Sequence, residues 1–131
     1  MTKTGDAVAA RARRLVGARF RPQGRDAKTG LDCIGVVALA VGARGCRADY
    51  GLRGGSAEEL FEGLAAANLR RVKTVIAGDV LVLRAGLHQL HLAVVTDEGF
   101  VHADAGARRV VEVPGRPDWP VLGIWRKRAR R

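Results

Sequence analysis

The feature that most limits how this chain can fold is a change of periodicity near Asn68. Before it, apolar residues recur at helical spacing, and after it they fall in short runs of Val, Ile and Leu separated by turn residues. Residues 4–17 place Val8, Ala12, Leu15 and Val16 on one side of an amphipathic helix that Gly17 ends, with its arginines on a solvated face. Residues 18–30, with Pro22, Gly24 and Gly30 among charges, read as an irregular loop. Asp32 can cap a second helix running to about Gly42, apolar nearly all round and therefore central. Ser56 with Glu59 three residues on forms a capping box, so a third helix extends to about Asn68 and turns Leu60, Phe61 and Leu64 inward. Six strands follow: Val72 to Ile76, Val80 to Leu83, Leu90 to Val95, Phe100 to His102, Val110 to Val113 and Val121 to Trp125. Helices first and strands after predict an α+β domain, with N-terminal helices packed on a meandering antiparallel sheet of five to six strands.

A chain of 131 residues, 47% of them hydrophobic, fits a single domain spanning residues 1–131. Aromatic residues make up only 5%, so Ala, Val and Leu must fill most of the core. No apolar run approaches the roughly 20 residues of a membrane span. Ala7 to Ala10 is too short for a signal-peptide core and is followed by Arg11, Arg13 and Arg14, so synthesis in the cytoplasm without a signal peptide is expected. Two cysteines, Cys33 and Cys46, are then expected as reduced thiols, and Cys46 has no evident role.

The net charge of +10 is concentrated at the two ends: residues 1–28 and 108–131 each carry eight Lys/Arg against two acids. Basic ends on a near-neutral body suit a polyanionic partner such as nucleic acid, an anionic cell-wall polymer or an acidic protein surface. A generally arginine-rich composition with a disordered basic tail over about residues 126–131 explains the same charge. Nothing resembles a groove-reading helix or a base-stacking sheet, which argues against nucleic acid.

Chemistry points to Gly30-Leu31-Asp32-Cys33-Ile34-Gly35-Val36-Val37. Cys33 falls in the first turn of the central helix, where free backbone N–H groups and the helix dipole favour the thiolate. A small buried hydrophobe is the plainer role for a lone cysteine. The only histidines are His88, His91 and His102. If the strands holding His91 and His102 pair through Asp97-Glu98-Gly99, both rings face one side and one imidazole can orient the other, as nucleophilic cysteine catalysis requires. His88 fits a structural role. Cys33, His91, His102 and Asp104 would also make four zinc ligands, but the chain lacks the paired Cys-x-x-Cys or His-x-x-x-His spacing of such sites.

GLDCIGVV, then Gly78-Asp79-Val80-Leu81-Val82-Leu83, then His91-Leu92-Ala93-Val94-Val95, then Phe100-Val101-His102-Ala103, resembles in order and spacing the NlpC-type bacterial cell-wall cysteine peptidases, a papain-like family. The resemblance runs from about Ala9 to Arg126 and is strongest to the short members encoded among tail genes of phages and gene transfer particles. It implies Cys33 as nucleophile, His91 as general base and acid, and His102 as the group that orients His91. It implies cleavage of peptidoglycan stem peptides, commonly between D-γ-glutamate and meso-diaminopimelate or lysine, without a metal or organic cofactor. It further implies phage-like tail proteins as partners through the basic ends, and action in the periplasm or cell wall from a particle.

The chain departs from the family pattern at two positions. Many members carry a tyrosine where Phe20 stands, so the ring is kept and the hydroxyl donor lost. Many read Asp-Cys-Ser-Gly, with the aspartate and serine holding a substrate amine, where this chain reads Asp32-Cys33-Ile34-Gly35. Phe20, Asp32 and Ile34 are therefore the expected substrate-binding positions, with Asp32 equally readable as a plain helix cap. Loss of these polar groups also leaves open a peptidase fold retained as a weakly active or inactive structural component of a tail assembly.

Overall fold

The computed structural model describes residues 2–43 and 56–129. Cys46 lies outside them. Helix α1 spans Lys3–Arg14, α2 Cys33–Val41 and α3 Ala57–Ala66, and a small hairpin, β1 (Arg25–Asp26) with β2 (Gly30–Leu31), precedes α2. Six further strands follow: β3 Leu69–Val72, β4 Val80–Gly86, β5 Gln89–Val95, β6 Gly99–Asp104, β7 Arg109–Pro114 and β8 Val121–Lys127. They form one antiparallel sheet in the order β3-β8-β4-β5-β6-β7. The α+β class and a six-stranded sheet are as the sequence predicts.

The meander holds only from β4 to β7, because β8 returns across the sheet and inserts between β3 and β4. Side-chain alternation then divides the sheet's two faces. Leu90, Leu92 and Val94 of β5 join Val101 and Ala103 of β6 in the main core with Val8, Ala12, Val36, Val37, Leu60 and Leu64 of the helices. Leu81, Leu83, Ala93 and Phe100 form a second, smaller cluster, against which Trp119 packs.

Helix α2 is central because all of its residues except Leu39 are buried. Its start is fixed by Asp32, whose side chain accepts from the Gly35 backbone N–H, and its end by Gly42 in the left-handed region at φ 75°. In α3, Ser56 accepts from the Glu59 N–H as the capping motif requires, and Leu60 and Leu64 are buried while Phe61 is half-buried.

Several boundaries differ from the sequence reading, each for a local reason. The first large strand lies at Leu69–Val72, ahead of the expected Val72 to Ile76. Asn68 adopts φ 71° and turns the chain directly out of α3, while the Ile76 N–H is taken by the Asp79 carboxylate in a turn. Of the residues expected on the inner side of α1, Val16 is 44% exposed, while Leu15, the helix C-cap, still packs half-buried against the core. Two of the α1 arginines are tethered, with Arg11 Nε donating to the Ala40 carbonyl and Arg13 Nε to Glu112. The basic tail expected from Arg126 starts no earlier than Arg128. Arg126 and Lys127 belong to β8, where Arg126 clamps the fully buried Asp79 through two bonds of 2.8 and 2.9 Å and Lys127 Nζ donates to the Val41 carbonyl. Among the described residues no helix is long and apolar enough to cross a membrane.

Candidate active site

Cys33 is the first residue of α2 and is 2% exposed. The preceding segment, expected to be irregular, is a folded brace around it. Its hairpin ends at Leu31, whose N–H donates to Arg19 O, and the Phe20 N–H donates to Arg108 O, stitching the loop to the turn before β7. Asp32 holds loop and helix together. Its Oδ1 accepts from Gly35 N at 2.9 Å and Arg25 Nη1 at 2.8 Å, and its Oδ2 accepts from Gln23 N at 3.0 Å. Gln23 sits at φ 58°, a left-handed conformation that a non-glycine residue keeps only when its surroundings enforce it. Gly35 is required for the same contact: a Cβ there would lie 2.2 Å from the Gly24 carbonyl oxygen.

The imidazoles arrive from the sheet. The β5–β6 ladder is short, with partners only at Val94↔Val101 and Val95↔Phe100, and the strands lose that pairing toward His91 and His102. There the two rings meet edge to face, with His91 Nε2 2.8 Å from His102 Nδ1 and the planes at 88°. Trp119, in the β7–β8 connection, stands edge-on to both, its ring 5.4 Å from that of His91 and 5.8 Å from that of His102. A cleft of about 630 Å³ is lined by Cys33, Asp32, Phe20, His91, His102, Asp104 and Trp119, among others.

Electrostatics at rest differ from the helix-terminus argument. Burial, with the Asp32 charge added, pushes the Cys33 thiol up to about 12, outweighing the hydrogen bonding with the Leu92, Cys33 and Ile34 backbone that pulls it down. Burial also pushes His91 down to about 4, helped by His102 and opposed by Asp104. His102 is likewise lowered by burial, and Asp104 opposes this. At neutral pH the resting site therefore holds a neutral thiol and a neutral imidazole pair. Among the described residues no hydrogen bond joins Cys33 to His91; catalytic contacts commonly tighten only when substrate is bound.

Of the positions singled out from sequence, Cys33, His91, His102, Asp32 and Phe20 share the cleft wall. Ile34 does not. It is 4% exposed and buried against Val37, Ala38, Leu60, Leu64 and Leu92, because the first turn of α2 points the residue after Cys33 into the core. The expectation that Ile34 binds substrate is corrected accordingly. His88 is exposed in the β4–β5 turn. Among the described residues no group of three or more His, Cys, Asp or Glu side chains is disposed to hold a metal ion. Sequence reasoning missed Trp119, and the available signal was a lone tryptophan between Pro117 and Pro120 in a turn segment, where a large ring has no structural need to be. It also missed Arg25, whose partner Asp32 lies seven residues on, across a hairpin that the sequence does not announce.

This arrangement is similar to a crystal structure of the NlpC/p60 domain of the peptidoglycan hydrolase SagA. The two superpose with a TM-score of 0.57 at 24% sequence identity, covering 84% of this chain and 88% of that one. The chain has the NlpC/p60 fold. No family model and no curated protein matches its sequence. In the NlpC/p60 fold described here, the helix that starts at Cys33 and the strands bearing His91 and His102 converge on one cleft.

Proposed function

We propose that this chain is a cysteine endopeptidase that hydrolyses peptidoglycan stem peptides, with Cys33 as nucleophile, His91 as proton carrier and His102 as the group that orients His91. The observation that carries the reading is the 2.8 Å His91 Nε2–His102 Nδ1 contact in the cleft that holds the Cys33 thiol at a helix N-terminus. In the tautomer where His91 Nε2–H donates to His102 Nδ1, His91 Nδ1 is left unprotonated and can accept the thiol proton. Sγ then bonds to the peptide carbonyl carbon, and the Cys33 backbone N–H receives the developing oxyanion. The C–N bond breaks as His91 returns the proton to the departing amine. Water attacks the thioester with His91 again as base, releasing the acid and the thiol. Since thiol and imidazole are neutral at rest, the proton moves only as the nucleophile attacks.

The favoured bond is that between D-γ-glutamate and diaminopimelate or lysine, and the favoured setting is a phage or phage-like particle; both rest on the sequence motifs and the basic ends. Digestion of purified peptidoglycan followed by mass spectrometry tests the reading: fragments cut at that bond are expected from the wild type and none from Cys33→Ala. Equal cleavage by the variant refutes it.

Two features favour a second reading, a weakly active or inactive peptidase fold serving as a structural component of a tail assembly. The Cys33 thiol is held near 12 and Phe20 brings no hydroxyl to the cleft. Iodoacetamide labelling against pH separates the two. Reaction of Cys33 well below the pH at which Cys46 reacts, once a stem peptide is added, supports the peptidase; matching profiles support the structural component.

A further inference from the structure

Among the described residues two carboxylates line the cleft, and they differ in how far they are already engaged. Asp32 already accepts from the Gly35 and Gln23 N–H groups and from Arg25, so its charge is paired within the protein and most of its acceptor capacity is taken. Asp104 is different. It lies two residues beyond His102 on β6, hence on the same face of the strand, and lines the same cleft half-buried. Among the described residues its only hydrogen bond is one accepted by Oδ1 from the Gly106 N–H. Arg109 stands opposite it in the β6–β7 ladder, yet among the described residues no ion pair joins the two. Most of the acceptor capacity of an ionised carboxyl is therefore free beside the imidazole pair.

The direction of the chemistry says which part of a substrate comes there. His91 must protonate the departing nitrogen, so the residue that leaves lies over the His91–His102 end of the cleft, next to Asp104. In the bond favoured above, that residue is a diamino acid with a side-chain amine. We propose that Asp104 binds the ammonium group of the leaving residue and so selects stem peptides whose side-chain amine is free over those in which cross-linking has turned it into an amide. This rests on the endopeptidase reading for the orientation of the substrate. It moves amine recognition away from Asp32, where the sequence pattern leads one to look.

The probes are two peptides with acetylated N-termini, acetyl-L-Ala-γ-D-Glu-L-Lys amide and the same peptide acetylated on the lysine side chain. Their binding to Cys33→Ala protein is measured by calorimetry, beside Cys33→Ala with Asp104→Asn, which keeps an oxygen for Gly106. Cys33→Ala is expected to bind the free-amine peptide about tenfold more tightly, as one charge-assisted contact allows, and the Asp104→Asn substitution to abolish that preference. Equal binding of the two peptides by Cys33→Ala overturns the proposal, as does a preference that survives Asp104→Asn. So does an Asp104→Asn enzyme whose turnover falls equally on both peptides with its acid limb displaced, since the carboxylate then acts through the histidines. A preference that depends on Asp104 in a wild-type protein that cleaves neither peptide upholds the ammonium site while refuting the endopeptidase.

Discussion

Replacing Asp32 separates fold stability from thiol acidity, because the same carboxylate supports the first and opposes the second. Asp32→Ala removes the N-cap of α2, worth about 1 kcal/mol. It also removes the bonds from Gln23 N and Arg25 Nη1, worth about 2 kcal/mol together for a buried charged acceptor. The sum, about 3 kcal/mol, is a large part of the roughly 5 to 15 kcal/mol that holds a domain of this size. Urea unfolding followed by tryptophan fluorescence is expected to show the midpoint falling by about 1 to 3 M, and melting by about 10 °C lower. Asp32→Asn loses less, since its oxygen still accepts from Gly35, but its amide opposes the Gln23 N–H. In both variants the Coulombic push on Cys33 is gone, so the thiol midpoint moves down from about 12, while burial still holds it above an ordinary cysteine. Iodoacetamide kinetics against pH, in a Cys46→Ser background, read this directly. Unchanged stability, or a thiol midpoint that stays or rises, refutes the role assigned to Asp32.

Three other perturbations follow from the same geometry. If His91 is the base of the proposed peptidase, it must be neutral to act, and since burial lowers it to about 4, the acid limb of cleavage is expected near pH 4, below the ordinary histidine value of about 6.5. The same shift means that the unfolded chain takes up the His91 proton first, so its contribution to stability is fully present above about pH 6.5 and is lost as pH falls toward 4. Trp119→Ala admits water to the histidine pair and should raise the His91 pKa toward its ordinary value, measurable by titrating the imidazole resonances in NMR. Arg126→Met leaves the fully buried Asp79 carboxylate without its partner and should cost about 3 to 5 kcal/mol in urea unfolding.

What could be read from the sequence was local. The start and end of α2 follow from Asp32 and Gly42, the α3 cap from Ser56 and Glu59, and the sheet hairpins from their turn residues. The pairing of His91 with His102 was also legible, since both sit on strands joined by a short turn. Long-range closure was not. Nothing in the Val121–Lys127 run says that it enters the sheet between β3 and β4, and without that placement Arg126 looks like tail rather than the partner of Asp79. The β-branched Thr74, Val75 and Ile76 have strand propensity, but the Asp79 carboxylate captures the Ile76 N–H and Leu69 takes the pairing position beside β8. The thiol was misjudged for a related reason: helix termini act over one turn and are visible in sequence, whereas desolvation depends on what the tertiary fold brings over the sulfur.

The placement of β8 also orders events during synthesis. The β4–β7 meander needs only neighbouring segments and can pair as soon as it leaves the ribosome, but among the described residues β3 pairs with β8 alone and must wait some fifty residues for it. Until Lys127 has emerged, one strand and the outer edge of β4 stay open, and the bond that ties the end of α2 to β8 is missing. A nascent chain stopped before Val121 would thus hold the cysteine and both histidines on a half-built sheet, and a protease pulse on arrested chains of increasing length should find protection only once β8 is clear of the exit tunnel.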